Sequence, residues 1–340
     1  RDWGGFEVRS SKLWELRTPN FELRTSGRAF LACFRALRVM VHIHMRGKLI
    51  LGMIIMPLAM GVGALSAAST LDDSTPHLPR PDHIVMVIEE NHSFSQIIDS
   101  PDAPYINRLA AQGAVFTQSF GITHPSQPNY LALFSGSTQG VIDNSCPHTF
   151  TTANLGQALL AAGLTFSGYS EDLPSVGSLT CDEGLYARKH NPWVNWQDSA
   201  TNGVPATANV PMTSFPTDYT KLPTVSVIAP NQVNDMHHGK DPDRIQTADQ
   251  WLQKHLDAYI QWAERHNSLL IVTWDEDNKK ENNRIVTLFV GPMVQAGRYD
   301  PRITHYNVLR TIEDLYGLPH SGASTDTTPI TQIWRVAPRP

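Results

Sequence analysis

Two apolar runs constrain this chain most. His83–Ile88 (HIVMVI) and Leu269–Trp274 (LLIVTW) are apolar at nearly every position, and each stops at acids, Glu89-Glu90 and Asp275-Glu276-Asp277. A strand wetted on one side alternates apolar with polar residues. A strand apolar on both sides must be covered on both, as in a parallel sheet between two layers of helices. Ala114–Phe120, Thr165–Tyr169, Thr224–Ile228 and Ile285–Val290 read as further strands. Helices are predicted between them. Pro104–Gln112 has proline at its start and Gly113 past its end. Asn154–Ala162 is capped by its asparagine and stopped by Gly163. Asn129–Phe134 opens another helix, and Tyr306–Tyr316 is ended by Gly317. The longest, Arg244–His266, places Ile245, Ala248, Leu252, Leu256, Tyr259 or Ile260, and Ala263 on one stripe. The alternation predicts an α/β fold, a three-layer sandwich around a mostly parallel central sheet.

The first 68 residues read differently. Residues 1–48 carry 10 Lys or Arg against 4 Asp or Glu, whereas the rest carry 17 against 28. Residues 1–44 are Arg-rich without a period and are read as a disordered leader or an over-extended start. From Met45, Arg46 and Lys48 precede an uncharged run, Leu49–Leu65, and the small residues Ser66–Ser69. That order is a secretory signal over residues 45–68, with a retained membrane anchor as the alternative. Residues 69–340 are then one domain, secreted or held in the cell envelope. With Cys33 in the leader, export predicts that Cys146 and Cys181 are joined, the other reading being two free thiols. A hydrophobic content of 41% excludes a disordered chain, and a net charge of -5 argues against a nucleic-acid partner.

In parallel α/β folds ligands bind beyond the carboxyl ends of the strands. Two acidic clusters meeting there repel unless a cation lies between them. Glu90, Asn91, Asp275 and Glu276 offer oxygen ligands to one divalent metal ion, which Mg²⁺, Ca²⁺ or Mn²⁺ would satisfy. Glu89 points the opposite way from Glu90 and is read as a neighbour. Ser126, in THPSQPN, follows a strand and precedes a helix, where backbone amides attract phosphate and a metal eases ionisation of a serine. Taken alone it would be a helix cap; His124 and Asn129 beside it weaken that reading. His237, next to Asp235, suits phosphate binding or protonation of a leaving oxygen, and His305 is held to the same role.

The blocks EENHSF, THPSQPNYLALFSGST, YARKHNPWVNW, PNQVNDMHHG and LLIVTWDEDN, in that order, resemble the acid phosphatase and phospholipase C-type phosphoesterase family of the alkaline phosphatase superfamily. The resemblance covers about Asp82–Trp334. It implies an α/β/α sandwich that hydrolyses phosphate monoesters, phosphoinositides at a membrane surface included. It maps Glu90, Asn91, Ser126, Asp275 and Glu276 onto metal and nucleophile positions and His237 onto a catalytic histidine. Lys189 and His190, with Asn129 and Asp235, are assigned to the substrate phosphate. Two departures stand out: the family's NDMHDG has His238 in place of its acid here, and the late acid pair is Asp-Glu where some members have Asp-Asp.

The expectation is therefore a metal-assisted serine phosphomonoesterase, with Ser126 the nucleophile and His237, His305 and His124 around it. A phospholipase C-type diesterase would share these residues. A phospholipid-binding surface protein would not need the serine. A sulfatase would need an arginine after Ser-x-Pro, which Ser126–Tyr130 lacks.

Overall fold

The computed structural model describes residues 78–335. The leader and signal segments read from the sequence lie outside the described residues. Among the described residues, no helix is long and apolar enough to cross a membrane.

In chain order the elements are β1 (His83–Glu89), α1 (Phe94–Ile97), α2 (Pro104–Gln112), β2 (Ala114–Phe116), β3 (Ser119–Phe120), α3 (Ser126–Ser135) and α4 (Leu155–Ala161). Then come β4 (Phe166–Ser170), β5 (Asp182–Glu183), β6 (Tyr186–Ala187), β7 (Asn209–Pro211), β8 (Val225–Ala229) and α5 (Asp243–Ala263). The chain closes with β9 (Ser268–Trp274), β10 (Arg284–Ile285), β11 (Thr287–Val290), β12 (Gly297–Tyr299), β13 (Ile303–Thr304) and α6 (His305–Tyr316).

Eight strands form the main sheet in the order β12-β2-β11-β9-β1-β8-β4-β7. Every pairing is parallel except those of β11, which runs against β9 and β2. The two runs that defined the fold, β1 and β9, lie side by side at its centre, all but wholly buried. One core, on the α3, α4 and α6 side, gathers Leu131, Leu155, Leu159, Val308, Leu309 and Ile312 against Ile84, Met86 and Ile88. The other, on the α2 and α5 side, gathers Ile106, Leu109, Leu252, Leu256 and Tyr259 against Val85, Val87, Leu270 and Val272. Alternate residues of one strand thus feed opposite cores, and the predicted three-layer sandwich is what forms.

Three boundaries differ from the sequence reading. The expected strand over residues 114–120 breaks at Thr117-Gln118, the polar step in an otherwise buried run, so β2 stays in the main sheet while β3 joins a small sheet with β10 and β13. The expected strand over residues 285–290 divides likewise at Val286. α3 begins at Ser126 rather than Asn129, and all ten of its residues are buried. A helix covered all round shows no polar face, so no periodic pattern marks its start. α3 ends at Gly136 in the left-handed conformation, and a Cβ there would stand 1.9 Å from the Ser321 carbonyl oxygen.

Candidate active site

β1 and β9 are in register up to Glu89 opposite Trp274, so both leave the sheet at the same level. The Asp275 amide still donates to the Glu89 carbonyl (3.0 Å), and the Glu90 amide to the Asp235 carbonyl beyond β8 (2.8 Å). Strand register thus brings Glu90 and Asp275 together, and the Glu90 amide holds the Asp235 loop beside them. Asn91 turns the chain in a left-handed conformation (φ 56°), and its amide donates to Asp275 Oδ1 (3.0 Å).

Ser126, the first residue of α3 and buried, reaches the two acidic ends at once. Its Oγ donates to Glu90 Oε2 at 3.3 Å and to Glu276 Oε1 at 3.2 Å. The loop before it is folded by Asn129. That side chain accepts from the amides of Ile122 and Thr123 and donates to the carbonyls of Thr123 and Pro125, so its polar atoms are spent on positioning Ser126. The Gln127 amide donates to Asn144 Oδ1 (3.0 Å), which leaves fewer helix-start amides for a phosphate than the sequence suggested.

On one side of Ser126, the buried His190 bridges two acids, with Nε2 2.5 Å from Glu90 Oε1 and Nδ1 3.1 Å from Asp235 Oδ2. Burial alone would raise the Glu90 carboxyl, but His190, then Lys189 and His237, bring it down to about 2. Burial would lower His190, and Glu90 and Asp235 instead lift it to about 9. The pair is ionic at neutral pH. Asp235 is itself held up, to about 6, by burial. Its Oδ1 accepts from the His237 amide (2.8 Å), which fixes that histidine at the mouth. His237 Nε2 lies 3.3 Å from Lys189 Nζ and 3.9 Å from Glu90 Oε2. Burial, with Lys189 and His190 beside it, lowers His237 to about 4. His238 is exposed and meets the His237 ring edge-on at 5.0 Å.

On the other side, His124 pairs with Glu276 through Nδ1, with Asp277 3.4 Å from Nε2. Burial, then Glu90 and Glu276, holds the Asp275 carboxyl well above the carboxylate range. Glu276 is raised by burial against the pull of His124. His305 stands behind the acids. Buried, and lowered to about 4 by that burial, it shares a proton between Nε2 and the Asp275 carbonyl (2.7 Å). That bond supports the acidic turn and shows no contact with Ser126.

Among the described residues, no three or more His, Cys, Asp or Glu side chains are drawn into a preformed metal cage. The donor set nevertheless suits a hard cation. Asp275 Oδ2 is buried with no hydrogen-bond partner, and Glu90, Asp275 and Glu276 crowd one another around Ser126. A buried carboxylate without a partner is costly, and a divalent ion between such oxygens would relieve it.

Sequence reasoning gave no role to His92 or Asp277. His92 is buried and links the Glu90 carbonyl (2.9 Å) to Asp241 (3.0 Å). Asp277 is buried and accepts from the amides of Lys279, Glu281 and Asn283. The sequence signal for both was adjacency to an acidic strand end. The sequence expectation of a Cys146–Cys181 disulfide is met, and the bond ties the loop after α3 to the segment before β6.

The chain matches the Phosphoesterase family over residues 98–319. It is 52% identical over 260 residues to the phosphatidylinositol-3-phosphatase of Mycobacterium tuberculosis, covering 76% of this chain and 84% of that protein. It is 29% identical over 232 residues to an acid phosphatase of Aspergillus fumigatus, covering 63% of this chain and 51% of that protein, so it spans about half of the fungal relative. Among solved structures, a protein of the alkaline phosphatase superfamily from Vibrio parahaemolyticus superposes with a TM-score of 0.52 at 12% identity, over 75% of this chain and 72% of that one. This last likeness concerns the fold.

Proposed function

The chain belongs to the phosphoesterase family, and from that premise we propose that it is an exported phosphomonoesterase acting on phosphoinositides, phosphatidylinositol 3-phosphate among them, with Ser126 as nucleophile. The observation that carries the reading is Ser126 Oγ, buried and donating to carboxylates from two strand ends. A serine kept only as a helix cap would not need that company. The substrate class rests on the mycobacterial relative, and export is supported by the disulfide.

Glu90, Asn91, Asp275 and Glu276, with Ser126, would hold a divalent ion, which when bound supplies positive charge to the phosphate and makes the serine easier to ionise. The rest is the work of the chain. Ser126 Oγ gives up its proton toward the carboxylates it already faces and forms a bond to phosphorus as the ester P–O bond breaks. Lys189 at the mouth offsets the charge on the phosphoryl oxygens, and His237 can donate a hydrogen bond to one of them. His237 is neutral at pH 7 before substrate arrives. A phosphate dianion beside it raises its proton affinity, so that it can protonate the departing alcohol. Water then cleaves the phosphoserine, its proton passing to His237 as the carboxylates return theirs to Ser126 Oγ and phosphate leaves.

The test is phosphate release from nitrophenyl phosphate and from its choline diester, before and after chelation. The monoester is hydrolysed and the diester spared, and chelation stops turnover until a divalent ion is restored. A Ser126→Ala protein with near wild-type turnover would overturn the assignment.

A further inference from the structure

Beside Ser126 a second polar groove opens between the THPS loop and the turn after β9. It holds about 530 Å³ and is lined by Ile122, Thr123, His124, Lys279, Lys280, Asn282 and Asn283, all but the first polar. We propose that this groove is a second anion site, which binds a phosphate of the substrate other than the one cleaved. The proposal rests on the phosphomonoesterase reading and adds where the substrate's second phosphate is held: in the headgroup of a phosphoinositide, the phosphodiester would occupy the groove.

Position is the first argument. His124 is the wall between the groove and the nucleophile. Its ring pairs with Glu276 Oε2, and Glu276 Oε1 is 3.2 Å from Ser126 Oγ. The groove therefore starts two side chains away from the attacking oxygen, through Glu276 and His124.

Charge is the second. Lys279 and Lys280 are exposed, and among the described residues neither has an acidic partner. The acids nearest in sequence are taken elsewhere. Glu281 pairs with Arg284 at 2.7 Å, and the Asp277 oxygens accept backbone amides. Two ammonium groups at the rim of an open polar groove suit a phosphate.

Construction is the third. The turn is rigidly made. Asp277 gathers three amides, the Asn283 side chain donates to the Thr123 carbonyl (2.9 Å), and Lys279, Asn282 and Asn283 all take left-handed conformations. Asparagine is a usual choice there, whereas lysine is not. Lys279 takes that conformation and lines the groove with its side chain exposed.

The experiment compares kcat/KM for inositol 3-phosphate, inositol 1,3-bisphosphate and dibutanoyl phosphatidylinositol 3-phosphate. The enzymes are the wild-type chain and Lys279→Asn/Lys280→Gln, which respects the left-handed backbone. The wild type is expected to favour the two substrates with a second phosphate by about tenfold, and the variant to bring that ratio close to one. Equal preference for bisphosphate and lipid means that the phosphate is read whatever carries it. Preference for the lipid alone, lost in the variant, assigns the groove to the headgroup phosphodiester. The proposal is overturned if the wild type shows no preference, if the preference survives in the variant, or if the variant loses the same factor on all three. Nitrophenyl phosphate is the control: a wild type inert toward it fails the phosphomonoesterase reading itself, whereas one active toward it but indifferent to the second phosphate fails only the groove.

Discussion

Glu90, Asp275 and Glu276 at the strand ends, and Asp249, Asp277 and Glu313 elsewhere, are all buried acids, but their oxygens are used differently. In the second set the backbone and hydroxyls of the fold satisfy the carboxylates. Asp249, on α5, accepts from the amides of Tyr105 and Ile106 at the start of α2. Asp277 accepts three amides of its own turn. Glu313, on α6, accepts from the Ser321 amide (2.8 Å) and the Ser324 hydroxyl (2.6 Å). In the first set the acids face one another, a serine and two histidines; Asp275 Oδ1 also accepts the Asn91 and Glu276 amides, but its Oδ2 has no hydrogen-bond partner. Structural acids obtain their hydrogen bonds from the fold; those around Ser126 are arranged for something the fold does not supply.

The sharpest way to break the contrast is at its centre. Ser126→Ala removes one oxygen from a buried helix start whose cap is Pro125 and whose side chain bonds only to acids. Turnover of nitrophenyl phosphate is expected to fall at least ~10³-fold, with a melting temperature close to wild type. A large loss of stability with turnover retained would place Ser126 among the structural residues.

Asp275→Asn is the next largest. An asparagine Oδ1 can still accept from the Asn91 and Glu276 amides, while one negative charge leaves a crowded site. Turnover is expected to fall about 100-fold, in line with loss of a group that stabilises transition-state charge, while thermal stability of the chelated protein holds or rises. A destabilised Asp275→Asn protein would make Asp275 a structural acid like Asp249.

Much of this contrast can be read in the sequence, but not all. β1, β9 and α2 were legible because their burial follows a local pattern: an apolar run, or a proline start with a glycine stop. The acids after β1 and β9 were legible as a pair because parallel strands in register end together. α3 was placed three residues late because it is buried all round. The bridging position of His190 depends on contacts with Glu90 and Asp235, far away in sequence, and YARKHNP carries no periodic trace of it. The sequence assigns Asn129 to the substrate phosphate and gives His305, as a secondary candidate, the role of His237. Only the hydrogen bonds show that Asn129 is spent on the loop and His305 on the Asp275 carbonyl.

The structural set gives effects of the opposite kind. Asp249→Ala leaves the amides of Tyr105 and Ile106 without their acceptor at a buried helix start. A stability loss of about 2 kcal/mol is expected by denaturant titration, with turnover per folded molecule unchanged. A fall in kcat matching that of Asp275→Asn would show that the two sets are not separable.

The smallest effect separates the sets most finely, because a raised pKa does not. Burial lifts the Glu313 carboxyl above its ordinary value of 4.5, against its two serine partners, and burial lifts Asp275 too. What differs is the partners. In Glu313→Gln the amide oxygen can accept from the Ser321 amide, and its NH₂ can donate to Ser324 Oγ while that hydroxyl turns to the Ser321 carbonyl 2.8 Å away. The two proteins should therefore differ by less than about 1 kcal/mol near pH 4. The sign of the pH dependence follows from the raised pKa. The folded state holds the Glu313 proton more tightly than the unfolded chain does, so this contribution is fully present below 4.5 and is lost as the pH rises through the folded value. Glutamine keeps a neutral side chain throughout. The stability of Glu313→Gln relative to wild type should accordingly rise as the pH is raised above 4.5 and level off above the folded value, with turnover unaltered. A relative stability that falls over that range would mean that the ionised carboxylate is the favoured form, and that its two serine partners outweigh burial.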